Sequence, residues 1–306
     1  MSKQRTVSVV VPIYNGGLLW QTAAAKIYDQ RNNIDSVVVI DSGSSDDSAA
    51  VARQYGFDVH VIDACEFDHG KTRNYALEFV SSDYVIFMTQ DAVLADETAI
   101  SSLLSAFDDE NVMAAYGRQL PATNATPPAA HARLFNYPST SIIKSADVIS
   151  LLGIKAVFIS NSFAAYRVAY LRELGCFPED IIFAEDMFLG AKIISSSRAI
   201  AYCAQAAVYH SHNYTPVQEF RRYFDAGVFH AQNSWLRELV GRVEGEGVKF
   251  VRSELQFLWQ HAPLWIPIAL VSTLLKWAGF KLGLNVKRLP KSWCQVLSMN
   301  KKYWLR

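Results

Sequence analysis

Apolar, β-branched-rich runs at 7–11, 36–40, 58–62 and 84–88 each end in a cluster of polar residues. After each run comes a stretch with apolar positions at helical spacing, at 18–30, 47–55, 69–80 and 96–107. Runs without polar alternation mark strands covered on both faces, and Pro12 closes the first of them. The alternation therefore predicts an α/β fold, a Rossmann-like, mostly parallel sheet flanked by helices with right-handed crossovers. Ligands of such sheets lie beyond the carboxyl ends of the strands, which is where the polar clusters fall.

A further strand is predicted at 113–119, after which the pattern changes. Pro121, Pro127, Pro128 and Pro138 interrupt 120–155, and no periodicity survives, so a mobile or substrate-covering segment is expected there. Order returns at 156–160 and with a short helix at 167–174 that Gly175 ends. Glu185 and Asp186 head a helix across 183–196, with Met187, Leu189, Ile193 and Ile194 on one side. One or two strands follow at 199–210, then a long helix at 216–242 with Pro216 in its first turn. The chain divides into an α/β unit, 1–225, and a helical C-terminal region, 226–306.

Charge sharpens that division. The chain has 29 basic and 29 acidic residues, yet from Lys276 onward eight are basic and none acidic, leaving 21 basic against 29 in the body. Six of the seven tryptophans also lie in the last quarter, and 262–275 is uncharged but shorter than the roughly 20 residues that cross a bilayer. Aromatic rings among Lys and Arg on amphipathic segments predict a tail lying on an anionic membrane surface, against a basic hairpin packed on the body. The acidic body and the lack of a binding motif argue against nucleic acid. The four cysteines lack CxxC spacing, which suggests neither zinc nor a disulfide framework, and the first apolar run reads as a strand rather than a signal peptide.

The strand-end clusters carry the candidate chemistry. Asp41, followed by Ser42 and a short Ser/Gly loop, can accept a hydrogen bond from the imide N–H of a uracil or thymine ring, although Ser44 and Asp47 also resemble a capping box. Lys71 and Arg73 open a helix, a poor place for cations unless an anion meets them. Asp91, after Gln90, either caps the next helix or holds a hard divalent cation with phosphate oxygens. In His210-Ser211-His212, which follows a strand, one imidazole, that of His210, is expected at the metal and a structural role for the other. Glu185 and Asp186 either complete a helix start or supply a base.

In order along the chain, VSVVVPIYN, VVVIDSGSSDDS, FDHGKTRN, TQDA, SNSFAAYR and AED resemble the GT-A fold of family 2 glycosyltransferases. With HSHNYT downstream, the set is similar to the bacterial rhamnosyltransferase branch. The resemblance covers about 5–225 and implies an inverting transferase that moves L-rhamnose from dTDP-L-rhamnose onto a polyprenyl-diphosphate-linked saccharide of O-antigen, peripheral on the cytoplasmic face of the inner membrane. It places Pro12, Tyr14, Asn15 and Asp41 around the nucleoside, Arg73 near sugar or phosphates, Mg²⁺ or Mn²⁺ on Asp91, and the base at Asp186. Thr89 stands where the family's DxD has its first carboxylate, which weakens the expected hold on metal. A UDP-sugar donor and a catalytically degenerate membrane-surface scaffold are the alternative readings.

Overall fold

The computed structural model describes residues 5–241 and 244–306, and within them one sheet of nine strands. These are β1 (Val7–Ile13), β2 (Ser36–Asp41), β3 (Asp58–Val61), β4 (Tyr84–Met88), β5 (Val93–Leu94), β6 (Val112–Leu120), β7 (Ile142–Lys144), β8 (Phe163–Arg167) and β9 (Ala199–Tyr209). They are ordered β3-β2-β1-β4-β8-β6-β9-β5, with β7 also on β9. β1 runs parallel to β2 and β4, β2 to β3, and β6 to β9. Antiparallel β8 sits between β4 and β6, and β5 and β7 run against β9. The mostly parallel sheet expected from the pattern is thus present, with antiparallel strands inserted where the sequence was hardest to read.

Val9, Val10 and Val11 of β1 and Val39 and Ile40 of β2 are wholly buried because helices cover both faces of the sheet. Two apolar clusters result, one per face. Pairing of β6 with β9 skips between Gly117 and Arg118, where a Cβ on Gly117 would meet the Phe163 ring at 2.3 Å and the Ala206 carbonyl at 2.4 Å. A bulge at this point curls β9, so that β7 pairs near its start and β5 at its end.

Several boundaries differ from the sequence reading. Of the stretch 156–160, where order was expected to return, only the first residue belongs to an element, the 3₁₀ turn 153–156, and the strand that follows, β8, was not picked out from sequence. Within 120–155 the helix Pro127–Asn136 starts on its two prolines, and β7 is pinned by buried Lys144, whose ammonium donates to Tyr116 Oη at 3.1 Å and the Lys155 carbonyl at 3.0 Å. Proline at a first helical turn starts a helix rather than breaking one. The long helix expected at 216–242 is two, Pro216–Gln232 and Ser234–Val240, separated at Asn233; its expected end at Arg242 lies outside the described residues. Position 225 falls inside the first of these.

All but the first residue of the apolar stretch 262–275 belongs to a longer helical run, Pro263–Leu284, 22 residues and mostly unburied, long and apolar enough by length and composition to cross a membrane. It continues through Lys276 because that ammonium turns inward to Glu219 at 3.2 Å. Backbone contact with helix Pro216–Gln232 is direct: a Cβ on Gly279 would lie 2.3 Å from the Phe220 carbonyl oxygen, and one on Gly283 2.1 Å from that of Phe224. Only glycines four apart permit this approach. The opposite face exposes Ile268, Val271, Leu274 and Trp277.

Beyond it, buried Asp225 accepts from the Met299 and Asn300 amides at 3.0 Å each. Arg306 Nη1 meets Asp68 Oδ2 at 2.9 Å and Asp180 Oδ1 at 2.7 Å, and Lys302 donates to the Ala64 carbonyl at 2.7 Å. Part of the tail's positive charge is therefore answered by the acidic body, as in the packed-hairpin reading. Lys287, Arg288 and Lys301 remain exposed.

Candidate active site

The ends of β1, β2 and β4 are tied together by side chains that cross between them. Gln90 accepts from the Tyr14 amide at 2.8 Å and donates to the Tyr14 carbonyl at 3.1 Å, clasping the end of β1 to that of β4. Asn15, at φ 46°, accepts from the Ser45 amide at 2.8 Å, while its own amide donates to Ser44 Oγ at 2.9 Å. Asp41 Oδ1 accepts from the Ser44 amide at 3.0 Å and its hydroxyl at 2.6 Å. The Ser44–Asp47 capping box does not form, since the helix Ser48–Gln54 starts at Asp47 without a side-chain cap; Asp41 Oδ1 instead closes the loop turn, and its Oδ2 accepts no hydrogen bond among the described residues. Buried Ser42 Oγ is likewise unpartnered. Tyr14 stands half exposed at the rim, beside Pro12.

At the next strand end Asp91 meets both histidines, His210 Nε2 to Oδ1 at 3.4 Å and His212 Nδ1 to Oδ2 at 3.8 Å. The sequence reading expected one ring there, but side chains two residues apart share a face of an extended chain, so the spacing itself allows both; β9 ends at Tyr209 and 210–215 is loop. The rings stand nearly perpendicular, centroids 4.7 Å apart.

His210 Nδ1 faces Gln119 Oε1 at 3.0 Å, while Gln119 Nε2 donates to Ser160 Oγ at 3.0 Å. With that amide orientation the proton of neutral His210 lies on Nδ1, leaving the Nε2 lone pair directed at a carboxylate oxygen. Two electron-pair donors facing each other, with a third beside them, suit a divalent cation. The three ligand atoms lie within 4.8 Å of one another. Burial, then His210, lowers the His212 pKa to about 4, which keeps the ring neutral and able to ligate.

The path continues from Ser160. The Asn161 amide donates to Asp186 Oδ2 at 3.1 Å, and the Met187 amide to Asp186 Oδ1 at 2.7 Å. Ala184, in the left-handed region at φ 60°, turns the chain into helix Glu185–Ser195 and sets both carboxylates in its first turn. They take different directions. Glu185 is buried on Arg73 Nη1 at 2.9 Å and receives Asn161 Nδ2 at 3.4 Å, whereas Asp186 keeps access to solvent. Burial, then the neighbouring Glu185 anion, raises the Asp186 pKa to about 7. For Glu185, Arg73 and then His69 outweigh burial and hold it ionised.

Arg73 is therefore enclosed, bound to Glu185 and to the His69 carbonyl at 2.8 Å, and is not directed at sugar or phosphates as expected; a buried carboxylate has claimed it. Lys71 on the same turn is exposed. The helix start is itself capped by Asp68, whose Oδ1 accepts from the Gly70 and Lys71 amides. His212, Gln119, Ser160 and Asn161 were not singled out from sequence as parts of this site. The repeated His in HSH was a visible signal for the first, while the others act through contacts between distant strands.

Residues 8–175 match the family described as glycosyl transferase family 2. An O-antigen chain rhamnosyltransferase of Salmonella anatum is 50% identical over 97% of this chain and 95% of its own length. Another O-antigen chain rhamnosyltransferase, from Salmonella typhimurium, is 49% identical over 97% of this chain and 96% of its own. A mannosyltransferase of Pyrobaculum calidifontis, solved with GDP-Man and Mn²⁺, superposes with a TM-score of 0.57 over 99% of this chain and 86% of that one, at 17% identity. This last likeness concerns the fold alone.

Proposed function

The chain belongs to glycosyl transferase family 2, and from that premise we propose that it is an inverting rhamnosyltransferase of O-antigen synthesis, taking L-rhamnose from dTDP-L-rhamnose to a polyprenyl-diphosphate-linked saccharide. Near-half identity over almost the whole chain with two O-antigen chain rhamnosyltransferases supports the sugar transferred. The observation that carries the reaction is the bonded path from Asp91 through His210, Gln119 and Ser160 to Asn161 and Asp186. It holds a metal-competent group and a solvent-reaching carboxylate in one frame.

Asp186 takes the proton of an acceptor hydroxyl as that oxygen bonds to the anomeric carbon and the bond from that carbon to the diphosphate oxygen breaks. Each oxygen of Asp186 accepts one backbone N–H and keeps a further lone pair for the incoming proton. General-base help of this kind contributes roughly 10²–10⁴ in rate. Asp91, His210 and His212 are the residues that would hold Mg²⁺ or Mn²⁺, whose charge offsets that developing on the leaving diphosphate. Asp41 Oδ2 and Ser42 Oγ, both without partners, are the groups offered to the base and ribose.

The protein works as a peripheral protein on the cytoplasmic face of the inner membrane. Trp259, Leu264, Leu274, Trp277 and Trp293, all mostly exposed, support contact with a lipid interface. The test is to incubate membranes bearing lipid-linked acceptor with labelled dTDP-rhamnose. Label is expected in the lipid fraction; label that enters only from UDP-sugars would overturn the donor.

A further inference from the structure

Arg222 and Arg133 are half-buried arginines whose side chains meet no counter-charge among the described residues. Arg73 has Glu185, Arg118 the Tyr137 carbonyl and Arg167 the Val112 and Phe107 carbonyls, whereas neither Arg222 nor Arg133 has an ion pair or side-chain hydrogen bond among the described residues. The Arg133 Nε is buried with nothing to donate to. A guanidinium carries five donors, so leaving them unmet in a half-buried setting is costly unless an anion completes the site.

Their location names the anion. Arg222 lies over the Phe183 ring at 5.6 Å and the Tyr214 ring at 5.5 Å. Phe183 leads directly into Glu185 and Asp186, and Tyr214 packs on His212, centroids 5.1 Å apart, which in turn meets Asp91. The cation is thus held between the base side and the metal side of the cleft, gripped by aromatic faces rather than by a carboxylate. The helix that carries Arg133, Pro127–Asn136, is tied to the same loop, the Thr126 amide donating to Asn213 Oδ1 at 2.8 Å between His212 and Tyr214, and burial, the largest influence on Arg133, lowers its pKa. Two unneutralised guanidinia beside one another are stabilised by a ligand with several anionic oxygens.

We propose that Arg222 and Arg133 form the seat of a diphosphate group in this cleft, a role that rests on the transferase reading above. The diphosphate is that of the leaving nucleotide or that of the lipid-linked acceptor; both present the same oxygens.

The test is calorimetric binding to the full-length protein with Mn²⁺ present, using dTDP, UDP and a short-chain polyprenyl diphosphate. Arg222→Gln and Arg133→Gln are each expected to weaken at least one of these by about tenfold or more, the loss of one charge-assisted hydrogen bond. Arg222→Lys should fall between Gln and wild type, since it keeps the charge and loses the fork. Loss confined to the nucleotides assigns the seat to the leaving group, and loss confined to the polyprenyl diphosphate assigns it to the acceptor. UDP binding in place of dTDP would defeat the donor assignment while leaving the arginine comparison intact. Unchanged affinity in both Gln variants with unchanged melting temperature, or no diphosphate bound by the wild type, would overturn the proposal.

Discussion

Arg73 and Glu185 face each other at 2.9 Å, both nearly excluded from solvent, with Glu185 next to Asp186 in the chain. Burial and then the Glu185 anion shift Asp186 towards neutrality, and Arg73 opposes them, so the pair moderates the base rather than adding net charge beside it.

The first consequence is a pH profile. Only ionised Asp186 can accept a proton, and burial and then Glu185 bring its pKa to about 7 in the free protein, so kcat/KM should fall roughly tenfold per pH unit below that value. Above it, this group no longer limits. A rate that stays level from pH 8 down to pH 5 in a labelled-sugar assay would refute the assignment. An ordinary aspartate would be ionised throughout that range, as the sequence alone implied.

Asp186→Asn keeps the shape of the site and removes the proton acceptor. Turnover is expected to drop about 10²–10⁴-fold with little change in nucleotide binding. Measuring kcat beside a calorimetric Kd separates the two effects, and near-normal kcat would exclude Asp186 as base.

Glu185→Gln leaves the Arg73 guanidinium enclosed without its counter-charge. The expected cost is about 3–5 kcal/mol, read as a shift in the denaturant midpoint, because one partner of a buried ion pair has been removed. Because the carboxyl pKa is lowered in the folded protein, its stabilisation is present above the ordinary glutamate pKa and fades as pH drops through the folded value. A midpoint shift below 1 kcal/mol would show the pair to be dispensable.

His212→Ala and His210→Ala should each weaken Mn²⁺ binding followed by electron paramagnetic resonance, and Asp91→Asn should weaken it most, since the carboxylate contributes the charge. If His212→Ala binds Mn²⁺ as the wild type does, the third ligand is not His212. Chelation by EDTA is expected to lower activity, and Mn²⁺ to restore it.

Leu274→Glu with Trp277→Glu places charge on the exposed face of the Pro263–Leu284 run without disturbing the Gly279 and Gly283 contacts behind it. Co-sedimentation with vesicles rich in anionic lipid should decline severalfold, while the melting temperature holds. Gly279→Val makes the complementary test: overpacking against the Phe220 carbonyl should cost about 1–3 kcal/mol.

Much of this architecture was legible in the residues. Strands 7–11, 36–40 and 84–88 were found to within a residue or two because burial on both faces writes an uninterrupted apolar run, as Val9 to Val11 show. β8 was missed because FAAYR is too short and too mixed to separate from its flanks, and its place between β4 and β6 depends on pairing across long separations. Lys144 shows a further obstacle, since a lysine fully enclosed by carbonyls and a tyrosine ring reads from sequence as a surface residue. At the site, Asp41, Asp91 and Asp186 were identifiable as polar ends of predicted elements. Which cation serves which anion was not: Arg73 looked suited to a phosphate until Glu185 claimed it. Long-range partners such as Gln119 and Ser160 leave no local periodicity to read.

The internal match between an acidic body and a basic tail makes ionic strength a handle on the molecule's own cohesion. At molar salt the Debye length shrinks to about 3 Å, which screens partly exposed Arg306 from Asp68 and Asp180 far more than enclosed Lys276 from Glu219. The far end of the chain would then loosen while the glycine-lined crossing stays closed. Desalting and concentrated brine should accordingly yield two hydrodynamic forms of the same folded enzyme.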